Sequence, residues 1–135
     1  MKNMILASLL MSLCSIAIAA PKKCILEVRD SVRMPNGPMD FPAASLKSLK
    51  DKGYSPKIVV YPSSKPGSYS LESEVKCVGF IFNPMLTNCT VTLTIFDADA
   101  TFMAQGTSSM NMGFGAFSAD LAPAVRNLPD CKDLK

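Results

Sequence analysis

The stretch YSLESEVKCVGFIFNPMLTNCTVTLTI, residues 69–95, decides the fold. Tyr69, Leu71, Val75 and Cys77 alternate with Ser70, Glu72, Glu74 and Lys76, and Cys89, Val91, Leu93 and Ile95 alternate with Thr90, Thr92 and Thr94. Period-two alternation of this kind marks half-buried strands, and the β-branched residues of the second run favour a pleated surface. The two runs are most simply an antiparallel pair with one dry and one wet face. Facing residues in such a pair share a face, so the odd-numbered apolar sets must meet each other. A tight connection that sets Phe82 against Cys89 puts Cys77 opposite Thr94 and mixes core with surface. Setting Cys77 against Cys89 puts Val75 opposite Val91 and Leu71 opposite Ile95, with both sulfurs within bonding reach. Setting Ile81 against Cys89 also keeps the faces, and then a bridge would need a bulge, for which Gly79 is a candidate.

Outward from this pair, Cys24, Leu26 and Val28 alternate with Glu27 and Arg29 in an earlier strand reaching Asp30. Met34 to Pro38 is turn chemistry. A helix is expected to open after Asp40, with Pro42 in its first turn, where an amide has no intrahelical partner. Its apolar stripe is Phe41, Ala44 or Ser45, Leu46 and Leu49, and Gly53 supplies a left-handed end. Ile58 to Tyr61 reads as a short strand, and residues 62–68 as a loop. Past the central pair, Asp97 to Ala100 is a turn into a weaker strand through Thr101, Phe102 and Met103. A loop rich in glycine and methionine follows from Gly106 to Gly115, although Met110, Met112 and Phe114 alternate as a strand would. Phe117, Leu121, Ala124, Val125 and Leu128 then recur at helical spacing, with Ser118 or Asp120 as caps and an end near Pro129. The expected fold class is α+β: a single mixed, mostly antiparallel sheet of about five strands with two helices on one face, in the order β-α-β-β-β-β-α.

The N-terminus carries one charge at Lys2, an apolar run from Met4 to Ile18, and small residues at Ala17, Ala19 and Ala20. This is the pattern of an export signal, residues 1–19, with cleavage before Ala20. The run is short for a bilayer span, and Leu13 is too large to precede a lipidated Cys14. Residues 20–135 then form one exported domain, periplasmic or secreted, with no stable membrane span after cleavage. Loss of Cys14 leaves Cys24, Cys77, Cys89 and Cys131. Four cysteines in an oxidising compartment read as two disulfides, and the absence of a C-x-x-C knuckle disfavours zinc. The terminal pair Cys24 and Cys131 would tie the first strand to the exit of the last helix, leaving Cys77 with Cys89.

The 135 residues hold 14 basic and 11 acidic side chains with no long run of either sign, too dilute for a nucleic-acid footprint. There is no His and no Trp. Without imidazole the chain lacks the usual general base near neutral pH and the commonest nitrogen ligand for metals. Asp97, Asp99 and Thr101 have the opening spacing of a calcium loop, but Phe102 stands where glycine is needed and Ser108 where the bidentate glutamate is needed. A local turn with side-chain-to-amide bonds is expected instead. Ser73 and Lys76 match S-x-x-K, yet in a strand they point to opposite faces. Glu72 and Glu74 share a face and read as solvated, with no sign of a pocket. Asn88-Cys89-Thr90 is a glycosylation sequon that a disulfide at Cys89 would crowd. Met110-Asn111-Met112 offers soft sulfur for copper, but methionine more often fills gaps and lines adaptable contacts. No metal and no cofactor is expected, and no motif assigns the chain to a family.

What stands out is apolar content in two loop-like segments, Val78 to Leu86 and Gly106 to Phe117, which a single domain has to hide or use. Phe80, Ile81, Phe82, Met85, Leu86, Met110, Met112 and Phe114 are the expected partner-binding residues. The expectation is a disulfide-stapled binding or interaction protein without catalytic activity, meeting another envelope or secreted protein. A secreted peptidase inhibitor is the alternative, and a small hydrolase using carboxylates a more distant one.

Overall fold

The computed structural model describes residues 23–35, 37–78, 86–113 and 119–135, with the backbone alone at 86–87 and 112–113. The expected export signal, residues 1–19, lies outside the described residues.

Among the described residues, seven strands and two helices follow in chain order: β1 (Cys24–Arg29), β2 (Ser31–Val32), β3 (Met39–Asp40), α1 (Ala43–Asp51), β4 (Tyr54–Val59), β5 (Ser68–Val78), β6 (Leu86–Phe96), β7 (Phe102–Gly113) and α2 (Ala122–Arg126), with a final 3-10 turn at Cys131–Asp133. Five strands form one mixed sheet in the order β4-β1-β5-β6-β7. β1 lies parallel to both β4 and β5, while β5–β6 and β6–β7 are antiparallel and account for most of the paired length. α1 packs on β4, α2 on β7 and β6, and the helices touch each other, so both cover the same face. The α+β class, the mixed sheet of five strands, the presence of two helices and the two bridges are as the sequence led us to expect, and the element order matches roughly.

The register between β5 and β6 is the one that sets Cys77 against Cys89, Val75 against Val91 and Leu71 against Ile95. Leu71, Val75, Val91, Leu93 and Ile95, the odd-numbered set, are all 2% exposed or less, as are Leu26 and Val28 of β1. Leu49 of α1 and Leu121, Val125 and Leu128 from the C-terminal segment close over them. Each such side chain contributes roughly 1.5–3 kcal/mol by leaving water, which makes this dry layer the main source of stability.

Four expectations need correction. The strand placed at Ile58 to Tyr61 is instead Tyr54–Val59, and Val60 and Tyr61 lie outside it, both exposed. Pro56 hid the strand's true extent. β4 is an edge strand, where a proline without N–H is tolerated, and its buried anchor is Tyr54 opposite Cys24. The segment from Gly106, read as a loop, continues β7 to Gly113, so the alternation of Met110 and Met112 was the better guide. Pro42 stands at the N-cap of α1 and not within its first turn, and Asp40 pairs with Ser31 in the small β2–β3 ladder that carries the expected turn. The last helix is only five residues long and ends at Arg126.

The C-terminal tail is clasped onto the junction of α1 and β4. Gly53 turns the chain with a φ of +84°, a conformation favouring glycine, and places its backbone against Cys131. Lys52 accepts a backbone bond from Cys131 at 3.0 Å and pairs through Nζ with Asp130 at 3.2 Å. The Cys24–Cys131 disulfide completes the clasp across a sequence separation of 107.

Candidate functional site

Two regions bear on function: one end of the sheet and the face opposite the helices. At the end, Cys77 and Cys89 are bonded across directly opposed positions, with Cα atoms 4.0 Å apart. Val78, the next residue, pairs with Asn88 and is 77% exposed. β6 runs past the disulfide to Leu86, whose Cα partner is Gly113, the last residue of β7. The two apolar segments therefore leave the sheet from the same end, one between Val78 and Leu86 and the other after Gly113. Sequence reasoning singled out both segments but could not join them, because it read the approach to the second as a loop.

Of the expected partner-binding residues, Phe80, Ile81, Phe82, Met85 and Phe114 lie outside the described residues. Leu86 and Met112 are placed by their backbone at the tips of β6 and β7. Met110, opposite Cys89, is half-buried against the core and is a packing residue as much as a surface one. Among the described residues no group of His, Cys, Asp or Glu is arranged to hold a metal ion.

The face opposite the helices is a polar ladder. Glu72, Thr94 and Gln105 form one rung, Glu74, Thr92 and Thr107 the next, and Lys76, Thr90 and Ser109 a third. Thr94 accepts a bond from Gln105 at 3.4 Å. Glu72 and Glu74, read as solvated, keep 44% and 30% of their side chains exposed, but they line an open groove of about 270 Å³ where the sequence showed no sign of a pocket. The β2–β3 turn, with Met34, Gly37 and Pro38, forms its rim, and Arg29, Arg33, Thr92 and Thr94 complete the walls. The turn stands there because Arg33 continues the line of β1 along β5, donating its N–H to Ser73 and accepting from Val75. Sequence reasoning missed the groove because the rim comes from a turn thirty-odd residues away in the chain.

The charges in this groove are paired. Arg29 lies 3.7 Å from Glu72, Arg33 lies 3.5 Å from Glu74, and Lys76 Nζ reaches Glu74 at 3.1 Å. The bond from Lys76, joined by Arg33, holds the Glu74 carboxyl below its ordinary range. A general acid needs the opposite shift, toward a proton retained near neutral pH. Ser73 is buried with the core while Lys76 is exposed, so the S-x-x-K match brings no nucleophile to a base.

Elsewhere on this face Glu27, only 6% exposed, accepts bonds from the Ser63 amide and hydroxyl. Asp97 accepts from the amides of Asp99 at 2.9 Å and Thr101 at 2.8 Å, the local turn expected in place of a calcium loop.

No family model matches the chain, and no curated protein matches it by sequence. Among solved structures there is a likeness to a neuraminyllactose-binding hemagglutinin homolog from Helicobacter pylori. It covers 78% of this chain and 76% of that one at 9% identity, with a TM-score of 0.35. A likeness that weak leaves the function to be argued from the chain's own geometry.

Proposed function

We propose that this protein is an exported, non-catalytic binding protein that meets another envelope or secreted protein with the end of its sheet fixed by Cys77 and Cys89. The observation that carries this reading is the shared exit of the two apolar segments, from Val78 and Leu86 on one side and Gly113 on the other. Contiguous apolar patches are where proteins meet, and two apolar segments that leave a sheet at one end have the composition to supply one. The disulfide gives the patch a rigid base, so less ordering entropy opposes binding. Two bridges also fit an oxidising compartment, and no helix among the described residues is long and apolar enough to cross a membrane. The paired charges of the groove, with Glu74 held ionised, favour binding over acid–base chemistry.

Capture of a partner from the native envelope by the mature chain tests the reading. The variant carrying Phe80→Ser and Phe82→Ser is expected to lose the partner while keeping its melting temperature. A large fall in melting temperature would place these rings in the core and end the proposal.

A bridge across the base of a connecting segment is also what a rigid inhibitory loop requires, and this favours peptidase inhibition as a second reading. Inhibition of any member of a protease panel, lost on reducing the disulfides, would select it.

A further inference from the structure

The two edges of the sheet are built differently. β4, six residues long, carries Pro56 and Lys57, which are devices that discourage further pairing. β7, at the other edge, is twelve residues long, FMAQGTSSMNMG, and contains neither a charge nor a proline. Long, uncharged edges are templates for an added strand. Part of this one is already closed. Asn127 donates its side-chain amide to the carbonyl of Thr107 at 2.6 Å, which shows that the Thr107 backbone faces away from β6. Outward backbone groups recur at every second residue of an antiparallel edge strand, so those of Ser109 and Asn111 face the same way.

We propose that a second copy of this chain pairs with that edge, β7 to β7 about a two-fold axis near Asn111, joining two sheets into one. Three observations select a second copy over a foreign strand. Antiparallel self-pairing brings equivalent residues together, and an edge without charge meets its own copy with no like-charge repulsion. The two-fold satisfies both copies' edges at once, whereas a foreign strand would leave its own outer edge open. The blunted β4 edge then stops the assembly at two, because the sheet of the described residues has no second uncharged edge to extend it. The inference does not depend on the apolar end of the sheet being the partner site.

Sedimentation of the mature, disulfide-intact protein across a dilution series tests it. The wild type is expected to be dimeric at micromolar concentrations and above. Ser109→Pro removes an N–H that the β6 ladder does not use, so it should leave the fold intact and give a monomer. Asn111→Lys, an exposed position, covers the case in which the proline variant fails to fold. It sets like charges across the axis and should raise the dissociation constant at least tenfold at low salt. Lys57→Ala at the other edge should leave the mass unchanged. A wild type that stays monomeric, which would point to a foreign strand or to none, overturns the proposal. So does a dimer that survives Asn111→Lys, or one lost only with Phe80→Ser and Phe82→Ser.

Discussion

The hydroxyl of Tyr54, at the start of β4, donates to the carbonyl of Pro129 at 2.6 Å, fastening the C-terminal tail to the sheet's edge. Burial, and then the nearby negative charge of Asp130, push this phenol up to about 12 from its ordinary 10.0. Because the folded value is raised, the contribution to stability is whole below pH 10 and is lost as the pH rises from there through about 12. Tyrosinate absorbance of the native protein should therefore show a late stage, near pH 12, from Tyr54. Tyr54→Phe should remove the late stage and cost about 1 kcal/mol in thermal or denaturant unfolding. A wild type without the late stage would contradict this.

Glu27 contributes to the acid limit. Bonding by the Ser63 hydroxyl, with smaller help from the Ser63 amide, Lys57 and Lys65, lowers its carboxyl below the ordinary 4.5 despite opposing desolvation. A lowered folded value contributes stability above pH 4.5 that disappears as the pH falls through the lower value. Melting temperatures measured down an acid series should thus decline below that point, and Glu27→Gln should make the decline shallower. Equal slopes for the two proteins would remove Glu27 from the explanation.

The two bridges should differ in weight. In the chain-entropy picture, closing 107 residues is worth about 5 kcal/mol and closing 12 about 3 kcal/mol. Replacing Cys24 and Cys131 together by Ser should therefore lower stability more than replacing Cys77 and Cys89. Alkylation of the denatured, non-reduced mature protein should find no free thiol. The reverse ranking would show that the Cys77–Cys89 bridge braces the folded state itself.

The sheet's dry face was legible because Leu71, Val75, Val91, Leu93 and Ile95 repeat at period two, and parity then left two registers, of which the structure has the one that faces Cys77 with Cys89. β7 was harder. Gly106 and the serines around it look like a loop, since glycine and serine have little intrinsic strand preference. Glycine stands there for a tertiary reason invisible in local sequence, the close approach of α2. The groove had the same difficulty, since Arg33 reaches Glu74 only after the β2–β3 turn folds back beside β5. Patterns within one strand could be read. Contacts between distant segments could not, except where two cysteines announced them.

That approach gives a further test. A Cβ on Gly106 would lie 2.3 Å from the carbonyl oxygen of Ala124 and 3.0 Å from atoms of Leu128, a clash with backbone that cannot swing aside. Gly106→Ala should cost about 1–3 kcal/mol as α2 is pushed off the sheet. Unchanged stability in urea would mean that α2 sits further away than described.

The Cys24–Cys131 bridge also decides how this protein answers a pull. Cys24 opens the first strand and Cys131 lies four residues before the end of the 135-residue chain. Tension applied outside these two residues passes from one sulfur to the other and bypasses every strand and helix between them. When the chain is stretched from points outside the two cysteines, the segment between them should behave as an inextensible link, with its sheet never loaded.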